Sequence, residues 1–277
     1  MNNHSFEKLF EEFEIITNPW AKRQSWEEQK RYLRSNKNLE ICKPYILECE
    51  RLANVVKEYV PLLQTLKDKL NQEIATEEYS TGGEVLHRGF YCPSPIIDIV
   101  IGNSKRGRIL QRMTQESKPT YKYGFNADGE LILVTNIIYD INAIGTEIII
   151  PNDNKEIGIS FQDCCGERKI GRISECIYHD DQLVTYIEGA YCSFEDRVFS
   201  LKKEEYLYPD KSLETAFMYF FTNDKVRPIL THQEYRFKHD NEGYLLCYVS
   251  IDHPGSSSRE EPFWNGQVYD VRIKRKV

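Results

Sequence analysis

Several familiar signatures are missing from this sequence of 277 residues, and each absence removes a class of function. The longest strongly apolar stretches, Pro95 to Ile101 and Ile148 to Pro151, fall far short of the ~20 residues a bilayer-spanning helix needs, so no membrane span is expected. The N-terminus carries Glu7, Glu11, Glu12 and Glu14 where a secretory signal needs a basic start and an apolar run. Export by that route is not expected, and the chain reads as cytoplasmic. The eight cysteines (42, 49, 92, 164, 165, 176, 192, 247) are scattered rather than densely spaced as in a disulfide scaffold, which points to reduced thiols.

Chemical motifs are equally scarce. Neither a nucleophile elbow nor a glycine-rich phosphate loop occurs, and Gly102-Asn-Ser-Lys-Arg-Gly107 lacks the order of a P-loop entering a helix. Of the six histidines, His232 and His239 with Asp240 invite a metal reading. Residues seven apart on a strand diverge to opposite faces, so surface histidines beside a hairpin are the expectation. Adjacent Cys164-Cys165 make poor joint ligands with Cys176 and Cys192, because structural zinc favours paired cysteines two to four residues apart. With no catalytic signature, the chain is not read as an enzyme, and no cofactor or metal is expected. An enzyme whose site is assembled from dispersed residues stays open as the alternative.

What is present is a chain that is 40% apolar and 29% charged, with 18 Tyr and 13 Phe, a composition that excludes both disorder and a membrane protein. The expected class is α+β, with a helical subdomain over 1–80 and a mostly antiparallel, repeated-hairpin β region over 84–277. In the first part, Phe6, Leu9, Phe10, Phe13 and Ile16 mark one helix stripe, and Asn18-Pro19 breaks it. Ser25 and Glu28 have capping-box spacing, so a second helix is placed from Trp26. A longer pattern from Leu39 to Tyr79, interrupted by Pro44 and Pro61, reads as two helices meeting near Pro61.

Beyond Ser80-Thr81-Gly82-Gly83 the period changes to two. Three segments resemble one another: Tyr123 to Leu133, Cys176 to Tyr186 and Tyr235 to Tyr248. Each has an aromatic strand end, an acidic or Gly turn and an outgoing strand beginning with Leu. Further hairpins are expected at Gly102-Asn103, with Ile99–Ile101 and Ile109-Leu110 as its arms, and at Asn265-Gly266. Leu213, Ala216, Phe217 and Phe220 predict one helix near 212–221.

Charge is unevenly placed. Net charge is −3 over 1–84, +5 over 85–125, −8 over 126–191 and −1 over 192–277, giving −7 in all. Eleven acids of the −8 segment, Asp128, Glu130, Asp140, Glu147, Asp153, Glu156, Asp163, Glu167, Asp180, Asp181 and Glu188, are expected at exposed turns. There they would steer a basic partner, or simply keep the protein soluble. The +5 segment offers Lys105, Arg106, Arg108 and Arg112 beside Tyr121 and Tyr123. This basic hairpin over 102–112 keeps nucleic-acid binding as a further alternative, disfavoured by the net charge.

The hairpin unit Tyr-x-Phe-x-x-Asp-Gly-x-Leu at 123–131, with its weaker relatives at 176–183 and 235–245, resembles the YD-type hairpins of bacterial polymorphic toxins. It is also similar to hairpins in the small cytoplasmic immunity proteins encoded beside them. The resemblance implies a stoichiometric inhibitor that binds a cognate toxin domain with a basic surface, often a nuclease, with no catalytic residue carried over. The second copy lacks Gly.

Overall fold

The computed structural model describes residues 26–101, 106–114, 116–138, 143–164, 167–209, 211–253, 263–271 and 275–277. The helix expected at 6–16, Ser25 of the capping box and the Gly102-Asn103 turn lie outside these residues.

Helix formation follows the 3.6-residue pattern. α1 (Trp26–Leu33) starts where the sequence placed it, and α2 (Asn36–Tyr59) is capped by Ser35, whose Oγ accepts the Asn38 N–H at 3.2 Å. Cys49, Leu52, Ala53 and Val56 form a buried stripe along α2. Pro44 does not break the helix. The carbonyl it leaves unpaired belongs to Glu40, which is exposed to water, as is Pro44 itself. Near Pro61 a single 3-10 turn (Val60–Leu62) separates α2 from α3 (Leu63–Glu73), the expected meeting of two helices.

Strands follow, thirteen of them among the described residues, and the protein is α+β. The first, β1 (Thr76–Thr81), begins before Gly82-Gly83, so the helical region ends at Glu73 rather than 80. β-Branched and aromatic side chains at Thr76, Tyr79 and Thr81 favour the pleated backbone. The chain forms two compact units, 44–205 and 1–43 with 206–277, each drawing on both helix and strand.

In the unit 44–205 the strands are β2 (Arg108–Ile109), β3 (Tyr121–Phe125), β4 (Leu131–Ile138), β5 (Ala143–Asn152), β6 (Lys155–Cys164), β7 (Glu167–His179), β8 (Gln182–Cys192) and β9 (Arg197–Leu207), besides β1. Their order is β9-β8-β7-β6-β5-β4-β3-β1-β2, so from β3 onward each strand pairs antiparallel with its chain neighbour. One face of this sheet is mainly aliphatic. Leu133, Ile148, Ile159, Ile173 and Leu201 lie in register across it, all buried. α2 packs on this face where Gly189 leaves room: a Cβ there would stand 3.4 Å from Leu52 Cδ1. The opposite face is covered by the described residues 82–101 of the excursion 82–107 between β1 and β2, which include the short helix α4 (Ile97–Val100).

The excursion corrects the expected basic hairpin. Residues 97–100 are helical, and Arg108 and Ile109 pair with Thr81 and Ser80 of β1. Apolar residues at 96, 97 and 99–101 recur too densely for alternation, and Ile96 and Ile97 are buried as a turn of helix.

In the other unit, β10 (Thr215–Thr222), β11 (Ile229–His239), β12 (Leu245–His253) and β13 (Phe263–Asp270) pair antiparallel in sequence. The helix expected near 212–221 is therefore strand β10. Thr215, Phe217, Tyr219, Phe220 and Thr222 have β propensity, and Ala216 and Met218 alternate inward, a pattern whose apolar positions happen also to fit helical spacing. Asn265-Gly266 is not a turn either. Val249 pairs with Val268 and Ile251 with Trp264, so the dipeptide lies in a bulge of β13, a common use of Gly in a strand. Within this unit Asn38 donates from Nδ2 to the Pro228 carbonyl at 2.9 Å.

Among the described residues, no helix is long and apolar enough to cross a membrane, and Cys42, Cys49, Cys92, Cys176, Cys192 and Cys247 are free thiols.

Candidate functional site

A strand-by-strand meander sends alternate turns to opposite ends of a sheet. In the unit 44–205 the β3–β4, β5–β6 and β7–β8 turns share one end, and each carries at least one acid. Asn126 organises the first, its Oδ1 accepting the Asp128 and Glu130 amides at 3.1 and 2.9 Å, with Gly129 at φ +81°. Asp153 (φ +51°) and the pair Asp180 and Asp181 (+48° and +63°) form the other two tips. Aspartate fits because its short polar side chain tolerates the left-handed backbone that tight hairpin turns require.

At this end lies a cavity of 640 Å³ bordered by Glu130, Asp153, Glu156, Asp180 and Asp181, with Leu131, Ile149, Pro151 and Tyr178 also lining it. Glu156 is neutralised by Arg88 and Lys155 by Glu175. Among the described residues, Asp153 and Asp181 have no cation within ion-pair distance. An apolar floor under a carboxylate rim complements the aliphatic stem and charged head of Lys or Arg.

The eleven expected acids therefore part company. Asp128, Glu130, Asp153, Asp180 and Asp181 are exposed at the tip end, as expected. Asp163 and Glu167 are exposed on β6 and β7 at the opposite end, where Arg168 holds Asp163 at 2.7 Å. Asp140 lies outside the described residues. Glu147, Glu156 and Glu188 correct the expectation of exposure: they sit inside strands, and alternation turns them inward beneath the 82–107 excursion.

There they meet charges that the sequence reading missed. Arg88, buried and at φ +60°, donates from Nε to Glu147 Oε1 at 2.7 Å, from Nη1 to Glu156 and from Nη2 to Ser174 Oγ at 3.1 Å. Gly158 makes room for it: a Cβ would stand 2.2 Å from Glu147 Oε1 and 2.3 Å from Arg88 Nη2. His87 Nε2 lies 2.8 Å from Glu147 Oε2, and Nδ1 lies 2.6 Å from the Tyr186 hydroxyl, so both ring nitrogens are engaged. Glu188 takes Arg172 Nε at 2.9 Å, Lys202 Nζ at 3.0 Å and the Tyr186 hydroxyl at 2.9 Å.

Electrostatics follow from this packing. Burial pushes the Glu147 carboxyl up, but Arg88 and His87 outweigh it and hold its pKa at about 2. Burial also opposes ionisation of Glu188, yet Lys202, His87 and Arg172 drive it well below the usual carboxylate range. Burial lowers His87 against the opposing pull of Glu147. On the helix face, fully buried Glu175 is held by Arg51 at 2.6 Å and Lys155 at 2.7 Å.

A second cavity, of 320 Å³, borders this network toward the opposite end of the strands, with His87, Arg88, Glu147 and Arg172 among its lining residues.

The basic-hairpin alternative is changed by the structure. Arg106 donates to the carbonyls of Phe90, Cys92 and Ser94 and pairs with Asp98 at 3.3 Å. Tyr121 and Tyr123 are buried, stacked on each other at 5.8 Å, and the Tyr123 hydroxyl anchors the excursion by donating to the Arg88 carbonyl and accepting the Phe90 amide, so neither ring is open to a base. Arg108 and Arg112 are exposed, and Lys105 lies outside the described residues. The histidines expected at the surface are half-buried: His232 stacks between Tyr219 at 4.3 Å and His253 at 4.5 Å. Among the described residues no group of three or more His, Cys, Asp or Glu is placed to hold a metal ion.

Comparison of the chain with models of known protein families, with curated proteins and with solved structures returns no match.

Proposed function

We propose that this protein is a cytoplasmic binding protein that captures a basic partner at the tip end of the β3–β8 hairpins, in the manner of an immunity protein neutralising a cognate toxin domain. The observation that carries the reading is the 640 Å³ cavity rimmed by acids from three hairpin turns and floored by apolar side chains. A Lys or Arg side chain of the partner would lay its stem on Leu131, Ile149 and Pro151 and its charge among Asp153, Asp180 and Asp181. Surface carboxylates of this kind act mainly on encounter rate and partner choice. The chain then works by occupancy, covering the partner's basic cleft. The YD-type hairpin resemblance points the same way, because the tips it describes at 123–131 and 176–183 are two of the three that form the rim.

The test replaces Asp153, Asp180 and Asp181 together by Asn, which removes three charges and keeps a side chain suited to positive φ. Binding to the toxin domain encoded beside this gene is followed at two ionic strengths. The expected outcome is an association rate reduced about tenfold at low salt, a smaller difference at high salt where exposed charges are screened, and an unchanged melting temperature. Unaltered association kinetics together with undiminished protection of cells would overturn the reading.

A further inference from the structure

The 320 Å³ cavity at the other end of the same sheet has the opposite character. Its floor comes from a register irregularity. Ser160 pairs with Arg172 and Phe161 with Ile170, which leaves Gly171 as an extra residue in β7. In a regular strand residues three apart point to opposite faces. The bulge brings Lys169 and Arg172 onto the same face, where Lys169 is paired with Gln162 and Arg172 with Ser160. In the next strands Gln162 faces Gly145, and Gly145 faces Asn136. Gly145 has no side chain to fill the centre of this row, so a hollow is left among polar groups.

The groups around the hollow are biased toward donation. Glu147 has both oxygens committed, one to His87 and one to Arg88. Arg88 is itself compensated by Glu147 and Glu156. Arg172 is held through Nε by Glu188 alone and keeps 40% of its side chain accessible, so neither terminal guanidinium nitrogen is taken by a described residue. Lys169 is exposed, and its only described partner is the Phe194 ring at 5.6 Å. The side chains of Ser160, Gln162 and Asn136 make no described hydrogen bond. Two cations with uncommitted donors, flanked by amides and a hydroxyl, form a set that an oxyanion satisfies, and a guanidinium fork matches carboxylate or phosphate geometry. The volume falls at the lower end of the range for small-molecule sites, ~300–1,000 Å³.

We propose that this cavity binds the oxyanion group, carboxylate or phosphate, of a small metabolite, with Arg172 making the forked contact and Lys169 adding a second positive charge. The site is independent of the acidic tips and of any protein partner.

The test titrates the whole protein with inorganic phosphate and, separately, with succinate, at constant ionic strength set by chloride, reading melting temperature and calorimetric heat. At least one anion is expected to raise the melting temperature saturably; phosphate alone identifies a phosphorylated ligand, succinate alone a carboxylate, and both the shared oxyanion site. Arg172→Gln is expected to weaken binding at least tenfold and Lys169→Gln several-fold. Because Arg172→Gln also removes a partner of Glu188, Gly145→Leu serves as the second variant. Its new Cβ would meet nothing nearer than Asn136 Cβ at 3.7 Å, so the side chain plugs the hollow and abolishes binding while the melt stays cooperative. No saturable response to either anion, or an equal response in wild type, Arg172→Gln and Gly145→Leu, would overturn the proposal.

Discussion

The two faces of the sheet in residues 44–205 are built by different rules. Toward α2, isoleucines from neighbouring strands lie in register and are buried by a helix whose stripe is Cys49, Leu52, Ala53 and Val56. Toward the 82–107 excursion the same strands present Glu147, Glu156, Ser174, Glu188 and Lys202, and the excursion answers with His87 and Arg88. Aliphatic contacts are non-directional, so one may be trimmed at moderate cost. A buried ion network has a fixed set of partners, and deleting one strands the others in a medium that solvates them poorly.

Arg88→Met tests this contrast most severely. It leaves Glu147 with His87 and the long Ser174 hydroxyl contact, and Glu156 without its buried cation, and a loss of about 3–5 kcal/mol in unfolding free energy is expected from denaturant titration. A loss below about 1 kcal/mol would mean that the face is hydrated and the contrast false.

Acid sharpens the same comparison. His87 has its pKa lowered by burial, so below pH 6.5 the unfolded chain takes a proton that the folded ring resists, and stability falls as pH drops. Glu147, held at about 2 against an ordinary value of 4.5, adds a second decline as pH falls from 4.5 toward 2. Urea midpoints measured from pH 8 to pH 3 should therefore show a plateau followed by two descending stages. His87→Gln should reduce the first stage, with His239, whose pKa burial also lowers, retaining part of it. A wild-type profile flat to pH 4 would contradict the placement of His87.

The smallest effect belongs to the aliphatic face. Ile173→Val, at a fully buried position in register with Ile159, should cost about 1 kcal/mol with no change in pH dependence.

How much of this could be read in advance depends on the distance between partners. Turns are local, and the Asp128-Gly129 and Asp180-Asp181 tips follow from two or three residues in a row. Helix boundaries at Trp26 and near Pro61 are local as well. β10 was misread because Leu213, Ala216, Phe217 and Phe220 satisfy a helical period, while pairing with β11 decides the outcome. The ionic face was invisible because Arg88 meets Glu147, Glu156 and Ser174 from 59, 68 and 86 positions away in the chain. One signal was available. Glu147 stands in Gly-Thr-Glu-Ile-Ile-Ile and Glu188 in Tyr-Ile-Glu-Gly-Ala, in the middle of apolar strands rather than at their ends, and an acid in that position calls for an internal cation.

Chain order in the sheet has a kinetic side. From β3 to β9 every pairing joins neighbours across a short turn, so loop closure is cheap and the strands can zip successively. β1 is the exception, since Ser80 reaches Tyr121 only by closing the excursion that carries His87 and Arg88. Glu147 and Glu156 thus stay hydrated while the meander assembles, and they lose water only when His87 and Arg88 arrive with the covering segment. Desolvation and pairing become one late event. On that ordering Arg88→Met leaves the folding rate nearly unchanged and spends its whole effect on faster unfolding.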